Sequence, residues 1–172
     1  MSHFKKSLTF VLTLLPVVAF AQICQTASIP ATTPTNRFTI NKNGTVSDTK
    51  TGLMWKTCSE GQSGTDCSGG SAATYTWQLA LQQAQTINNG GGFAGYSDWR
   101  VPNVKELLSI VEEQCIEPSI NLTVFPNTPY LNVFWSSSPD ANYSYGAWYV
   151  YFNGGYSGND GKSSSDFVRL VR

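Results

Sequence analysis

All four cysteines (Cys24, Cys58, Cys67 and Cys115) follow an export-type leader, so the chain is set to fold around two covalent cross-links. The leader begins with Lys5 and Lys6. An apolar stretch of 13 residues follows, Leu8 to Phe20, interrupted only by Thr9, Thr13 and Pro16. Ala19-Phe20-Ala21 then matches the small-x-small cleavage rule. Such a stretch is shorter than the roughly 20 apolar residues that span a bilayer. The pattern predicts a signal peptide over 1–21, cut before Gln22. No membrane anchor is expected afterwards, because Ile23 stands where lipidation of Cys24 would need a small residue. The expected location is secreted, periplasmic or cell-surface.

Four cysteines allow three pairings. The segment between Cys58 and Cys67 reads SEGQSGTD, a flexible loop that one local bridge would staple. Cys24 precedes a Pro/Thr-rich lead, PATTPT, that a long-range bridge would tie down. The expected bridges are therefore Cys58–Cys67 and Cys24–Cys115.

Cleavage also removes Lys5, Lys6 and His3, the only histidine. The remaining 151 residues (22–172) carry nine basic against eleven acidic side chains, a net charge of −2. Without histidine there is no Ser-His-Asp triad, no Cys-His pair and no His-ligated zinc. There is no CxxC either, so neither metal nor cofactor is expected, and the chain reads as non-enzymatic. The charge lacks the basic footprint of a nucleic-acid binder. The length suits one domain.

Along the chain, 22–36 is an irregular lead and 37–172 a single domain. Arg37–Ile40, Thr45–Asp48 and Leu53–Lys56 read as short strands separated by the turns Asn41-Lys42-Asn43-Gly44 and Thr49-Lys50-Thr51-Gly52. Thr76 caps a helix whose Trp77, Ala80, Leu81, Ala84 and Ile87 share one face, ending at Asn88-Asn89-Gly90. Asn103 and Glu106 form a capping box for a second helix, with Val104, Leu107, Leu108 and Val111 as its stripe. Pro118 forbids its continuation. Val133–Ser136, Ala147–Asn153 and Asp166–Val171 read as later strands. Strands, two helices, then strands make an α+β fold.

The blocks NGTVSDTKTGLMW (43–55), WQLALQQA (77–84), GYSDWRVPNVKELLSIV (95–111), FWSSS (134–138), AWYVYFNGG (147–155) and FVRLVR (167–172) stand in order. Together they resemble the Lcl C-terminal domain family, named after the C-terminal domain of the Legionella collagen-like adhesin, from about Arg37 to Arg172. The resemblance implies a C-type lectin-like fold, two helices packed on a twisted antiparallel sheet with long loops. It also implies adhesion, a sulfated polysaccharide ligand and trimeric assembly. This chain has no Gly-x-y stalk, and only Lys42, Lys50, Lys56 and Lys162 sit in loops or edges where a sulfate could be met.

The strongest binding signal lies in two segments expected as neighbouring loops, 139–146 (PDANYSYG) and 153–162 (NGGYSGNDGK). Sugar recognition needs flat aromatic faces for pyranose C–H groups, and amides and carboxylates for hydroxyls. Asn142, Tyr143, Tyr145, Asn153, Tyr156, Asn159, Asp160 and Lys162 are those types, on loops that a rigid scaffold could present. A surface glycan or a surface protein is the expected partner. Other acidic motifs read as structural. In Asp98-Trp99-Arg100 the tryptophan fills core and the arginine meets a carboxylate. The Asn41–Gly44 turn, with Asp48 beyond, offers one carboxylate where calcium wants six to eight oxygens. The spacing does not pair Asp140, Asp160 or Asp166 for hydrolysis.

Overall fold

The computed structural model describes residues 21–172, so the expected signal peptide lies outside the described residues apart from Ala21. In chain order the elements are β1 (Ile23–Cys24), β2 (Phe38–Ile40), β3 (Thr45–Asp48), β4 (Met54–Lys56), β5 (Gln62–Ser63), β6 (Gly69–Gly70), β7 (Thr74–Tyr75), α1 (Trp77–Asn89), α2 (Val104–Leu108), β8 (Cys115–Ile116), β9 (Phe134–Pro139), β10 (Gly146–Tyr151), β11 (Tyr156–Gly161) and β12 (Asp166–Phe167). The fold is α+β, with two helices among strands, as the pattern predicts.

The strands do not form one antiparallel sheet. Among the described residues they form a three-stranded meander β2-β3-β4, a five-stranded sheet in the order β11-β10-β9-β12-β7, and the two-residue ladders β1-β8 and β5-β6. The five-stranded sheet is mixed, because β12 runs parallel to β9 through Phe167 and Phe134. Its alternation buries both faces. Phe134, Val150 and Phe152 pack with α2 and the meander around Trp55, Phe125 and Ile110. Trp135, Ala147 and Tyr149 face the other way, onto Ala80, Ala84, Trp77 and Leu81 of α1.

Local signals set the helix starts. Thr76 accepts from the Leu79 amide, and the Asn103/Glu106 capping box closes in both directions. The second helix stops at Leu108, earlier than its stripe suggests. The Ser109 hydroxyl donates to the Glu106 carbonyl at 2.6 Å. Beyond it Ile110, Val111 and Glu112 are buried in succession, which one face of a helix cannot achieve.

Both expected bridges are present, Cys24–Cys115 and Cys58–Cys67. The first seats the lead beside β8, and Glu112 completes the attachment. Its buried carboxylate accepts from the Thr32 amide at 2.9 Å and from the Thr33 amide and hydroxyl at 2.8 Å each. Burial alone would raise its pKa; these donors more than reverse that and hold it below the usual range.

The C-terminal tail closes the molecule. Met54 and Arg172 exchange backbone hydrogen bonds at 2.9 Å, and Lys56 donates to Leu170 at 3.0 Å. On the other side Arg100 and Val171 exchange another pair at 2.9 Å. The expected strand over 166–171 is thus continuous only at Asp166–Phe167. Beyond it the tail pairs residue by residue with two different segments. Trp99 is core, while Arg100 pairs with Glu106 and Asp98 with Arg172, each at 2.7 Å. Asp48 is consumed by the buried Arg37 and by the Lys50 amide and Thr51 hydroxyl.

Candidate functional site

β10 and β11 form a hairpin in register from Tyr151↔Tyr156 to Gly146↔Gly161. The segment 153–162, expected as a loop, is therefore mostly an edge strand. Its Gly, Asn and Asp residues are poor strand formers, but β10 offers a partner for every position, and context overrides propensity. Gly158 has a specific reason to lack a side chain. A Cβ there would stand 2.5 Å from the Tyr149 hydroxyl, so the tyrosine lies across the strand at that point.

The loop before β10 is braced from beneath. Asp140 is buried; one carboxylate oxygen accepts from the Asn142 amide at 2.8 Å, the other from the Asn159 side chain at 2.7 Å. The Gly146 amide donates to the Tyr143 carbonyl at 2.8 Å. Lys162 closes the far side: its ammonium donates to the Ser144 carbonyl at 2.7 Å and lies 4.8 Å from the Trp77 ring centre. Held this way, Tyr143 and Tyr145 remain 49 % and 69 % exposed, their ring centres 5.8 Å apart and planes inclined by 53°. They wall a surface groove of about 430 Å³ that Gly146, Asn159, Asp160 and Gly161 complete.

The eight residues singled out from sequence thus divide. Tyr143, Tyr145, Asn159 and Asp160 line the groove. Asn142 and Lys162 brace its loop. Asn153 and Tyr156 lie at the opposite end of the hairpin, five strand positions or roughly 17 Å away. There the Asn153 carbonyl accepts from the Glu117 amide at 2.9 Å, and Tyr156 packs on Tyr151 with ring centres 5.5 Å apart.

Asp166, on β12 of the same sheet with β10 and β9 between it and β11, is the residue whose setting the spacing did not reveal. It is 2 % exposed, and its Oδ2 has no hydrogen-bond partner. Burial, with the charge of Asp160 added, raises its pKa to about 6, against a lowering influence of the nearby Asn132 side chain. The fold therefore brings together the electrostatics of two carboxylates that lie six residues apart on strands that do not touch. The Tyr149 phenol shares this environment and is also raised, first by burial and then by neighbouring Tyr156, Asp160 and Asp166. Among the described residues the ion pairs are Arg37–Asp48, Lys56–Glu60, Arg100–Glu106 and Arg172–Asp98, none of which reaches Asp140, Asp160 or Asp166.

A raised carboxyl pKa means that the folded state holds the proton longer than the unfolded one. Stability from this group is greatest below the unfolded value of 3.8 and declines as pH rises through about 6. Asp166→Asn is expected to be near neutral at pH 4 and to stabilise the protein by up to ~3 kcal/mol at pH 7. Urea unfolding of both forms at the two pH values tests this; a variant less stable at pH 7 than at pH 4, relative to wild type, contradicts it.

A smaller cavity of about 290 Å³ lies beside the Cys58–Cys67 loop, between Lys56, Gln62 and Phe93. Its cation is already committed, with the Lys56 ammonium 2.6 Å from Glu60 and 4.4 Å from the Phe93 ring centre.

A family model, described as the Lcl C-terminal domain, matches residues 44–172, three quarters of the chain. No curated protein matches the chain. No helix among the described residues is long and apolar enough to cross a membrane.

Proposed function

The chain belongs to the Lcl C-terminal domain family, and from that premise we propose that it is an exported, non-catalytic recognition domain of the adhesion class. It binds a surface glycan in the groove walled by Tyr143 and Tyr145, on a C-type lectin-like scaffold. The family carries the adhesion-related part of this reading. Two disulfides support a place outside the cytoplasm. One observation carries the groove: two half-exposed aromatic faces, converging over an amide and a carboxylate, on a loop held at both ends. Aromatic faces supply contact area at small entropic cost, and the polar floor meets sugar hydroxyls.

Tyr143→Ala and Tyr145→Ala are each expected to lower affinity for a glycan found on an array by about tenfold, with unchanged thermal stability. An array with no binder, or a binder indifferent to both substitutions, removes the groove from the reading.

The outer edge of β11 favours a second reading, a structural or assembly module of the cell envelope. This edge has no partner strand among the described residues, so it could accept another chain's backbone. Attachment through that edge survives Tyr143→Ala, whereas groove binding does not.

A further inference from the structure

The charges around the groove are one-sided. Asp160 lines it with one oxygen accepting from the Gly161 amide at 2.6 Å and the other without a protein donor among the described residues. Asp140 lies beneath, its two oxygens answered by neutral amides only. Asp166 is buried in the same sheet, its Oδ2 without a hydrogen-bond partner, and the Asp160 charge adds to burial in raising its pKa. Lys162, the cation that reaches this loop, does not line the groove; its ammonium donates to the Ser144 carbonyl and lies 4.8 Å from the Trp77 ring centre. The groove thus presents one carboxylate beside two tyrosine faces. A sulfate placed there would meet that carboxylate, and no guanidinium or ammonium lines the groove. A protonated amine would meet an open carboxylate oxygen and aromatic faces that attract cations.

We propose that the groove selects glycans carrying free amino groups, N-deacetylated hexosamines, with the ammonium seated on Asp160 beside Tyr143 and Tyr145. This rests on the glycan reading of the groove and specifies its ligand class. The two tyrosines, packed on each other with ring centres 5.8 Å apart, offer their exposed faces to the pyranose, and Asp160 distinguishes an ammonium from an acetamide or a sulfate.

The test measures binding of the purified protein to three oligosaccharides of equal length by calorimetry: a β-1,4-glucosamine tetramer, its fully N-acetylated counterpart and a sulfated heparin fragment. The glucosamine tetramer is expected to bind about tenfold more tightly than the acetylated one, and the sulfated fragment most weakly. Asp160→Asn is expected to erase the amine preference, lowering affinity for the glucosamine tetramer by about tenfold, to that of the acetylated one. Glu113→Gln removes one negative charge at an exposed site outside the groove and should leave the preference intact, which separates seating on Asp160 from general attraction of a polycation. Equal or tighter binding of the acetylated or sulfated oligosaccharide overturns the inference, as does a preference that Asp160→Asn and Glu113→Gln reduce alike. If glycans bind and Tyr143→Ala weakens them without regard to amines, only the ligand class is wrong. If none of the three binds, the inference falls, and a wider array decides whether the groove reading falls with it.

Discussion

Replacing Arg169 by alanine is expected to cost about 4 kcal/mol of stability and to lower the midpoint of thermal unfolding by roughly 10 °C. Arg169 is wholly buried. Its guanidinium donates to the carbonyls of Thr57 and Lys56, the latter at 3.2 Å, and to the hydroxyl of Thr128 at 2.7 Å. The rings of Phe125 and Phe134 lie 4.8 and 5.9 Å from it. Burial pushes its pKa down to about 9, with Glu60 opposing, so the group stays charged at neutral pH. Alanine there opens a cavity and leaves these acceptors in a dry site without a donor. Arg169→Met separates the two contributions, since it restores volume but not the hydrogen bonds, and should recover part of the loss. Urea unfolding followed by tryptophan fluorescence measures both variants. A loss below 1 kcal/mol for the alanine variant would show that the cage of acceptors finds other partners.

Removing the Cys24–Cys115 bridge with paired serines is the other large effect, about 4.6 kcal/mol in the chain-entropy description of a loop spanning 91 residues. The Cys58–Cys67 bridge spans nine residues and is worth about 2.6 kcal/mol on the same description. The order of the two is the sharper expectation. The long bridge restricts the whole unfolded chain up to β8, whereas the short one restricts only a surface loop. Denaturant midpoints of the two double-serine variants give the order. Hydrogen exchange should show loss of protection in 22–36 for the long-range variant, partly limited by the donors that Glu112 gathers from Thr32 and Thr33. A costlier short bridge would mean that the lead holds its place without the covalent link.

Much of this architecture was readable because its determinants are local. The meander rests on turns with residues suited to positive φ, such as Gly44 and Gly52. The helix starts rest on caps whose donor and acceptor lie within three residues. Even the disulfide pairing followed from the composition of the segments that the cysteines flank. Reading failed where a segment's state depends on a distant partner. The Gly- and Asn-rich 153–162 reads as loop, but six of its residues become strand because β10 lies alongside. The second helix ends early because Val111 bridges to Ile120 and Glu112 is drawn to the lead.

The candidate site divides in the same way. Residue type alone drew attention to Tyr143, Tyr145, Asn159 and Asp160, since half-exposed aromatics beside amides are the material of recognition. Type could not show that Asn153 and Tyr156 sit at the far end of the hairpin, because alternation is a property of each strand and register belongs to the pair.

By itself, then, the amino-acid order determined the α+β class, the covalent frame, the absence of histidine after His3 and the chemical character of the loops. These are sums or short-range patterns, and they survive any arrangement in space. Only the tertiary structure decided that the Asp160 charge raises the pKa of Asp166, that Lys162 braces the Ser144 loop, and that Arg169 is buried among carbonyls. Each depends on which strands lie beside one another, and burial turns those placements into energies, because a charge deprived of water responds to every neighbour left within reach.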